Sequence, residues 1–142
     1  MLRSGSATIG RTALVLCVVP ATLLLSGCGS VDHGDPVAVA QGFVDAVADE
    51  DAGGACDLVA EDAEDTRELC EQNIEGFIAE FTPEELEIFA DVEVASADIN
   101  EGGDTAYIDS EQYSEATPED ARMPIVLVLI EDEWFIDMDS FS

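Results

Sequence analysis

The chain has 142 residues, with 33 Asp or Glu against four Lys or Arg, and its formal net charge is −29 at pH 7. Phosphate recognition needs Lys and Arg, so this balance excludes nucleic acid as a partner. The length suits one domain, and the single histidine leaves no His/Cys set of the kind that binds zinc.

The N-terminal segment has the pattern of an export signal. Arg3 and Arg11 precede an apolar run over residues 12–25, which is shorter than the roughly 20 residues of a membrane-spanning helix. The run ends in LSGC (25–28), which resembles the bacterial lipobox. That resemblance implies cleavage before Cys28 and lipidation of its thiol, and two acyl chains would make the anchor stable. The alternative is a plain secretory signal with a chance cysteine.

These patterns divide the chain into three parts. Residues 1–27 are predicted to be a lipoprotein signal peptide, 28–34 a flexible lipidated tether, and 35–142 one domain. The only histidine, His33, is interpreted as a linker residue within the tether. We therefore expect a protein that is anchored by the lipid on Cys28 at the outer face of the cell membrane.

The acidic balance becomes more extreme after cleavage. Two of the four basic residues precede residue 28 and no acid does, which leaves two cations against 33 acids and a formal charge of −31. Such a charge destabilises the compact state unless counterions screen it. One interpretation is a solvated surface adapted to salt, and the other is a surface for a cation or a basic envelope partner. Residues 98–109 fail the calcium-loop pattern, because Gly102 is misplaced and a closing Glu is absent. No metal or cofactor is expected.

Helices are predicted in the first half of the domain. Asp35 and Pro36 are a favoured start for the first helix, and the acid- and glycine-rich stretch 49–54 is predicted to end it. A second helix is expected over 55–63. The apolar face of the first helix is predicted to contain Val37, Ala40, Phe43, Val44 and Val47.

A third helix is predicted to begin near Asp65, which forms a capping-box-like pair with Glu68. Thr82, followed by a proline and by Glu85, restarts a helical turn with Leu86 pointing inward. The buried stripe of the third helix is predicted to be Leu69, Cys70, Ile74, Phe77, Ile78 and Phe81, and Phe89 is expected to point inward from the restarted turn.

After residue 90 the hydrophobic period changes from helical to alternating, which is typical of strands. Helices followed by an antiparallel sheet predict an α+β fold with the helices on one face of the sheet. The predicted strands cover 91–99, 105–114, 122–130 and 134–141, with turns at 100–104 and 131–133 and a loop at 115–121.

Cys56 and Cys70 are the cysteines that remain after the signal and the lipid anchor. Outside the cytoplasm such a pair usually forms a disulfide, and closing a loop of about 15 residues contributes roughly 3 kcal/mol. The alternative, a catalytic thiol, would need a nearby positive charge or base, which the acidic surroundings do not favour.

The pattern over about residues 35–141 resembles small actinobacterial lipoproteins of the nuclear transport factor 2-like superfamily, also called the cystatin-like cone. The best match is the terminal hairpin, in which an apolar strand and an acidic turn precede Trp134, Ile136 and Asp137. The resemblance implies a curved antiparallel sheet wrapped around the helices, with a pocket between them. The turn 131–133 lacks the glycine common in that family, and Phe135 replaces a frequent basic residue.

Two functions follow from this resemblance. The first is a non-catalytic binding or scaffold module that meets a small-molecule ligand or an envelope partner. The alternative is a pocket enzyme of the ketosteroid isomerase or polyketide cyclase kind, which a buried carboxyl group beside a tyrosine would favour. The candidate pocket residues are Tyr107, Asp109, Tyr113, Trp134 and Asp137. No residue is assigned a catalytic role.

Overall fold

The protein is described by a computed structural model over residues 30–61 and 66–141, so the signal segment and Cys28 lie outside the described residues. Four helices precede a four-stranded antiparallel sheet of order β1-β2-β3-β4, which confirms the predicted α+β class. The elements are α1 (Pro36–Ala48), α2 (Ala52–Cys56), α3 (Arg67–Ile78), α4 (Pro83–Phe89), β1 (Asp98–Ile99), β2 (Thr105–Ile108), β3 (Ile125–Ile130) and β4 (Glu133–Ile136), with 3₁₀ helices at Ser110–Gln112, Glu119–Ala121 and Met138–Phe141.

The caps of α1 and α4 are those predicted. The Asp35 side chain accepts a hydrogen bond from the backbone N–H of Val37 at 2.9 Å, with proline at the first helical position. At α4, Thr82 and Glu85 form a complete capping box. The hydrogen bond that the Thr82 backbone N–H donates lowers the pKa of the Glu85 carboxyl, and the Thr82 hydroxyl adds to the effect. Both helix starts are therefore fixed by residues within one turn.

The second helix differs from the prediction of 55–63. The first helix ends at the stretch 49–54 as predicted, with Asp49 as its C-cap. The same stretch also begins the next helix, because Asp51 caps α2 by accepting from the Gly54 N–H. Helix α2 stops at Cys56 because the chain then turns and pairs with β4. The N–H of Ala60 donates to Ile136 O at 2.9 Å, and the Ile136 N–H donates to Leu58 O at 2.7 Å.

The third helix begins slightly later than expected. Thr66 caps α3, whereas the predicted cap Asp65 lies outside the described residues. Ile74 and Ile78 are buried as predicted, but the assignment of Leu69 to the buried stripe is wrong, since its side chain is 42% exposed. Phe77 and Phe81 pack edge to face at the margin of the core, with ring centroids 5.1 Å apart.

The strands are shorter than the alternating patterns predict. Stretch 91–99 pairs as β1 only at its end, with one further bridge between Val94 and Tyr113. The return strand breaks at the 3₁₀ helix Ser110–Gln112, where the Gln112 side chain accepts from the Asp109 N–H. Strand β4 likewise gives way to the 3₁₀ helix Met138–Phe141. At the last two breaks local hydrogen bonds replace the ladder. Residues 93–96 instead bond to distant groups on Gln41, Gln112 and Thr117.

The two faces of the sheet differ in burial. Successive residues on β2, β3 and β4 point alternately to the two faces of the sheet. The helices cover one of these faces, which belongs to the core. That face carries Ala106, Ile108, Ile125, Leu127, Trp134 and Ile136, all at most 5% exposed. The opposite face carries Tyr107, Val126, Val128, Ile130 and Phe135, which are partly or largely exposed.

Residues 31–33 pack against the domain, whereas the sequence predicts a flexible tether over 28–34. The Trp134 N–H donates to His33 O at 2.8 Å, and His33 Nδ1–H donates back to Trp134 O at 3.0 Å. The imidazole ring lies 4.9 Å from the Phe135 ring. Val31 is half-buried and lies over Gly42 of α1, where a Cβ would come within 2.7 Å of Val31 Cγ2. We call residues 31–33 the docked segment.

Candidate functional site

A disulfide joins two helices at the wall of a cavity. Cys56, the last residue of α2, is bonded to Cys70 in the first turns of α3, with 14 residues of sequence separation and Cα atoms 6.0 Å apart. The predicted pairing is confirmed. Cys56 is buried and Cys70 is half-buried, so the bond forms part of the wall of the cavity.

The cavity has a volume of about 410 Å³ and lies between α3, the stretch 59–61, strand β3 and the chain after β4. A volume of this size is within the range of small-molecule sites. Its apolar wall consists of Val59, Ala60, Ile74, Val128, Ile130, Met138 and the disulfide, and its polar wall of Glu61, Thr66, Arg67, Asn73, Asp137 and Asp139.

Among the described residues of the cavity wall, Arg67 is the one cation, and each of its three guanidinium nitrogens donates a hydrogen bond. Its guanidinium donates to Asp57, to Glu71 Oε1 at 2.9 Å and to the backbone oxygen of Gly53 at 3.0 Å. The hydrogen bonds to Asp57 and then to Glu71 raise the pKa of the guanidinium. Arg67 therefore ties the start of α3 to the end of α2, alongside the disulfide.

The other arginine of the described residues is engaged in the same way. Arg122 donates to backbone oxygens of Thr117, Ser110 and Ser114, at distances from 2.8 to 3.4 Å. These bonds hold the loop that leads into β3. Besides Arg67, the charged residues that the structure places on the cavity wall are the acids Glu61, Asp137 and Asp139.

The structure does not bring the five predicted pocket residues together around this cavity. Asp137 lies on its wall and is half-buried, whereas Tyr107 and Asp109 are exposed on and after β2. Trp134 is 5% exposed and packs in the core. Tyr113 is also buried, and its hydroxyl donates to Met123 O at 2.5 Å. Burial, helped by the negative charge of Asp109, raises the pKa of Tyr113.

The arrangement expected of an isomerase-like enzyme, a buried carboxyl group beside a tyrosine, is not present among the described residues. No Asp or Glu of that part of the chain is buried, and the buried hydroxyl of Thr117 bonds to the backbone at Glu93. Within residues 30–61 and 66–141, no three metal-ligating side chains are grouped to hold an ion.

Of the residues that line the cavity, Asp137 is the one that the sequence patterns predict as a pocket residue. Arg67 offered a signal, because it is one of two cations that follow the signal segment. Met138 and Asp139 were hidden because the pattern after β4 resembles a continuing strand, while the structure turns there into a 3₁₀ helix. The part played by residues 59–61 depends on their pairing beside β4, which has no local sequence signal.

Comparison with family models, with curated proteins and with solved structures gives no match for this chain. Of the helices in the described part of the chain, none combines the length and the apolar character needed to cross a bilayer.

Proposed function

We propose that the protein is a lipid-anchored extracytoplasmic binding module of the nuclear transport factor 2-like superfamily. Its cavity would take a small organic cation that has an apolar portion. The observation that carries the proposal is the cavity of about 410 Å³, which combines an apolar wall with an acidic rim.

The sign of the ligand charge follows from the residues around the cavity. Glu61, Asp137 and Asp139 contribute three carboxylates, while Arg67 is neutralised by its own acidic partners. Field lines from a strongly acidic protein concentrate in clefts and raise the local concentration of cations. An ammonium or guanidinium group at the rim and a hydrocarbon portion against Ile74 would match both walls.

The location and the fold have separate support. A disulfide between Cys56 and Cys70 fits an oxidising compartment outside the cytoplasm, in agreement with the export signal and the LSGC motif at 25–28. The α+β layout, with helices over one face of an antiparallel sheet, supports the superfamily at the level of fold class.

Methionine NMR tests the ligand class. After cleavage the chain keeps two methionines, of which Met138 lines the cavity and Met123 does not. Titration of methyl-labelled protein with hexyltrimethylammonium should shift the Met138 signal and leave the Met123 signal in place. Hexanesulfonate, with the same apolar tail and the opposite charge, should shift neither. If hexanesulfonate shifts Met138 more strongly, the assigned sign is wrong.

A pair of matched variants tests the acidic rim. Replacing both Asp137 and Asp139 by Asn should weaken hexyltrimethylammonium binding several-fold, because each rim carboxylate contributes about 0.2–1 kcal/mol. The control replaces Asp91 by Asn and Glu115 by Gln. Both control residues are exposed and outside the cavity wall, and they remove the same total charge. If the two pairs weaken binding equally, the effect comes from the net charge of the protein, and the result counts against a specific site at Asp137 and Asp139.

Fractionation tests the anchor. The Cys28→Ser chain should appear in the medium, because it lacks the thiol that receives the lipid. The parent chain should remain with the membranes and carry the mass of the acyl groups on residue 28. Retention of the serine variant in the membrane fraction would contradict the proposed anchor.

A further inference from the structure

The docked segment, residues 31–33, connects the site of lipidation to the domain through a fixed contact. His33 exchanges two hydrogen bonds with Trp134 of β4, and its ring lies against Phe135. Val31 sits on α1 at Gly42, where the missing side chain allows the close approach. The edge of β4 is thus paired with the docked segment at Trp134 and with residues 58–60 at Ile136.

The distance available to the anchor is short. Between Cys28 and Val31 there are three Cα–Cα steps, which span at most about 11 Å. If the whole stretch 28–34 were free, its seven steps to Asp35 would span about 25 Å. The headgroup layer on each side of a bilayer is about 5–8 Å thick. The docked segment therefore shortens the free chain between the anchor and the domain, which limits rotation of the domain above the membrane.

We propose that the edge of β4, together with the docked segment, is the face of the protein that meets the lipid headgroups. This rests on the lipid anchor at Cys28 proposed above. The covalent lipid supplies the affinity, and the contacts of His33 and Val31 set the orientation. The cavity wall at Asp137 and Asp139 follows β4 in the chain, so the same contacts hold it at a defined height above the bilayer.

The charges near this face predict how the distance between the domain and the bilayer depends on salt. The turn residues Glu131 and Asp132 and the first residue of β4, Glu133, are acidic and exposed. Repulsion from anionic headgroups reaches about 10 Å at 0.1 M salt, a distance similar to the tether length. The domain should therefore move outward on anionic bilayers at low salt, to a limit that the tether sets, and should show no salt response on zwitterionic ones.

Energy transfer from the single tryptophan measures the height of β4. Trp134 is the only tryptophan of the chain, so no label is needed. The lipidated protein, purified from membranes, is placed in phosphatidylcholine vesicles that contain a dansyl-labelled phosphatidylethanolamine. Three variants are compared with the parent: twelve Gly/Ser residues inserted between residues 30 and 31, Gly42→Ala, and Gly76→Ala as the control on α3.

The parent and Gly76→Ala should show equal, strong transfer. The insertion gives a tether with a root-mean-square length of about 20 Å and should lower the transfer about twofold or more. Gly42→Ala should also lower it, because the added methyl displaces Val31 and frees the tether. Transfer that is unchanged by the insertion, or unchanged by Gly42→Ala, would overturn the proposed orientation. Absence of acyl groups on residue 28 by mass spectrometry would instead overturn the anchor itself.

Discussion

Replacing Gly42 by Ala tests the packing of the docked segment without touching that segment. Gly42 is in the interior of α1, where alanine is intrinsically better than glycine by about 0.8–1 kcal/mol. A Cβ at this position would lie 2.7 Å from Val31 Cγ2 and 3.2 Å from Leu58 Cδ1. Such overpacking costs about 1–3 kcal/mol. The substitution should therefore leave stability unchanged or lower it by up to about 2 kcal/mol.

Gly76→Ala is the matched comparison. Gly76 is also helical, in α3, and a Cβ there meets no atom within 4 Å. This change should stabilise the protein by the full propensity gain of about 0.8–1 kcal/mol. The two substitutions, chemically identical, should thus differ by about 1–3 kcal/mol in the free energy of unfolding. That difference measures the contact between α1 and the docked segment.

Urea denaturation followed by circular dichroism gives both free energies. The double variant Val31→Ala with Gly42→Ala removes the clashing methyl groups and should recover most of the helix gain, a coupling of at least about 0.5 kcal/mol. Proteolysis near the N-terminus should be faster in Gly42→Ala than in Gly76→Ala. If Gly42→Ala stabilises as much as Gly76→Ala, Val31 does not pack on α1 and the reasoning is refuted.

Four further outcomes are expected. Replacing Cys56 and Cys70 together by Ala should lower the free energy of unfolding by about 3 kcal/mol; reductant should do the same to the parent, and a loss below about 1 kcal/mol would contradict the loop-closure argument. Asp132→Gly should stabilise the β3–β4 turn by about 1 kcal/mol, because Asp132 has φ +68°; unchanged stability would show that the turn carries no strain. In the variant Tyr107→Phe, Tyr113 is the only tyrosine. Because burial raises the pKa of Tyr113, its neutral form stabilises the fold below about pH 10, the usual tyrosine pKa, and this stabilisation is lost as the pH rises further. Reversible ionisation of Tyr113 near pH 10 in the folded protein would contradict the raised pKa. Finally, the urea midpoint of the folded domain should rise between 0.1 M and 1 M NaCl, since salt screens the acidic self-repulsion, and a constant midpoint would show that repulsion is not the dominant strain.

The helix starts illustrate what local sequence predicts well. Asp35 and Thr82 each act on backbone groups within three residues, so their capping is encoded in a few neighbouring letters. The disulfide between Cys56 and Cys70 was predicted for a related reason, since few cysteines and a short loop leave few pairings. The α+β order followed from the change in hydrophobic period after residue 90.

The candidate pocket shows the limit of pattern reasoning. Alternation placed Tyr107 and Asp109 on one strand face, but nothing in the alternation indicates whether another element covers that face. Tyr113 was separated from that strand by the 3₁₀ turn at Ser110–Gln112, whose hydrogen bonds compete with the ladder. Of the five residues, Asp137 lies at the cavity, because the chain leaves β4 there.

The sequence by itself determined the charge, the export pattern, the fold class and the caps of α1 and α4, because each depends on composition or on neighbours a few residues apart. Tertiary structure alone decided where the strands end, which side chains surround the cavity and how residues 31–33 dock. Those features depend on contacts such as His33 with Trp134, which are 101 residues apart. The free energy of such a contact depends on the surface that the fold brings opposite each residue, which no local pattern contains.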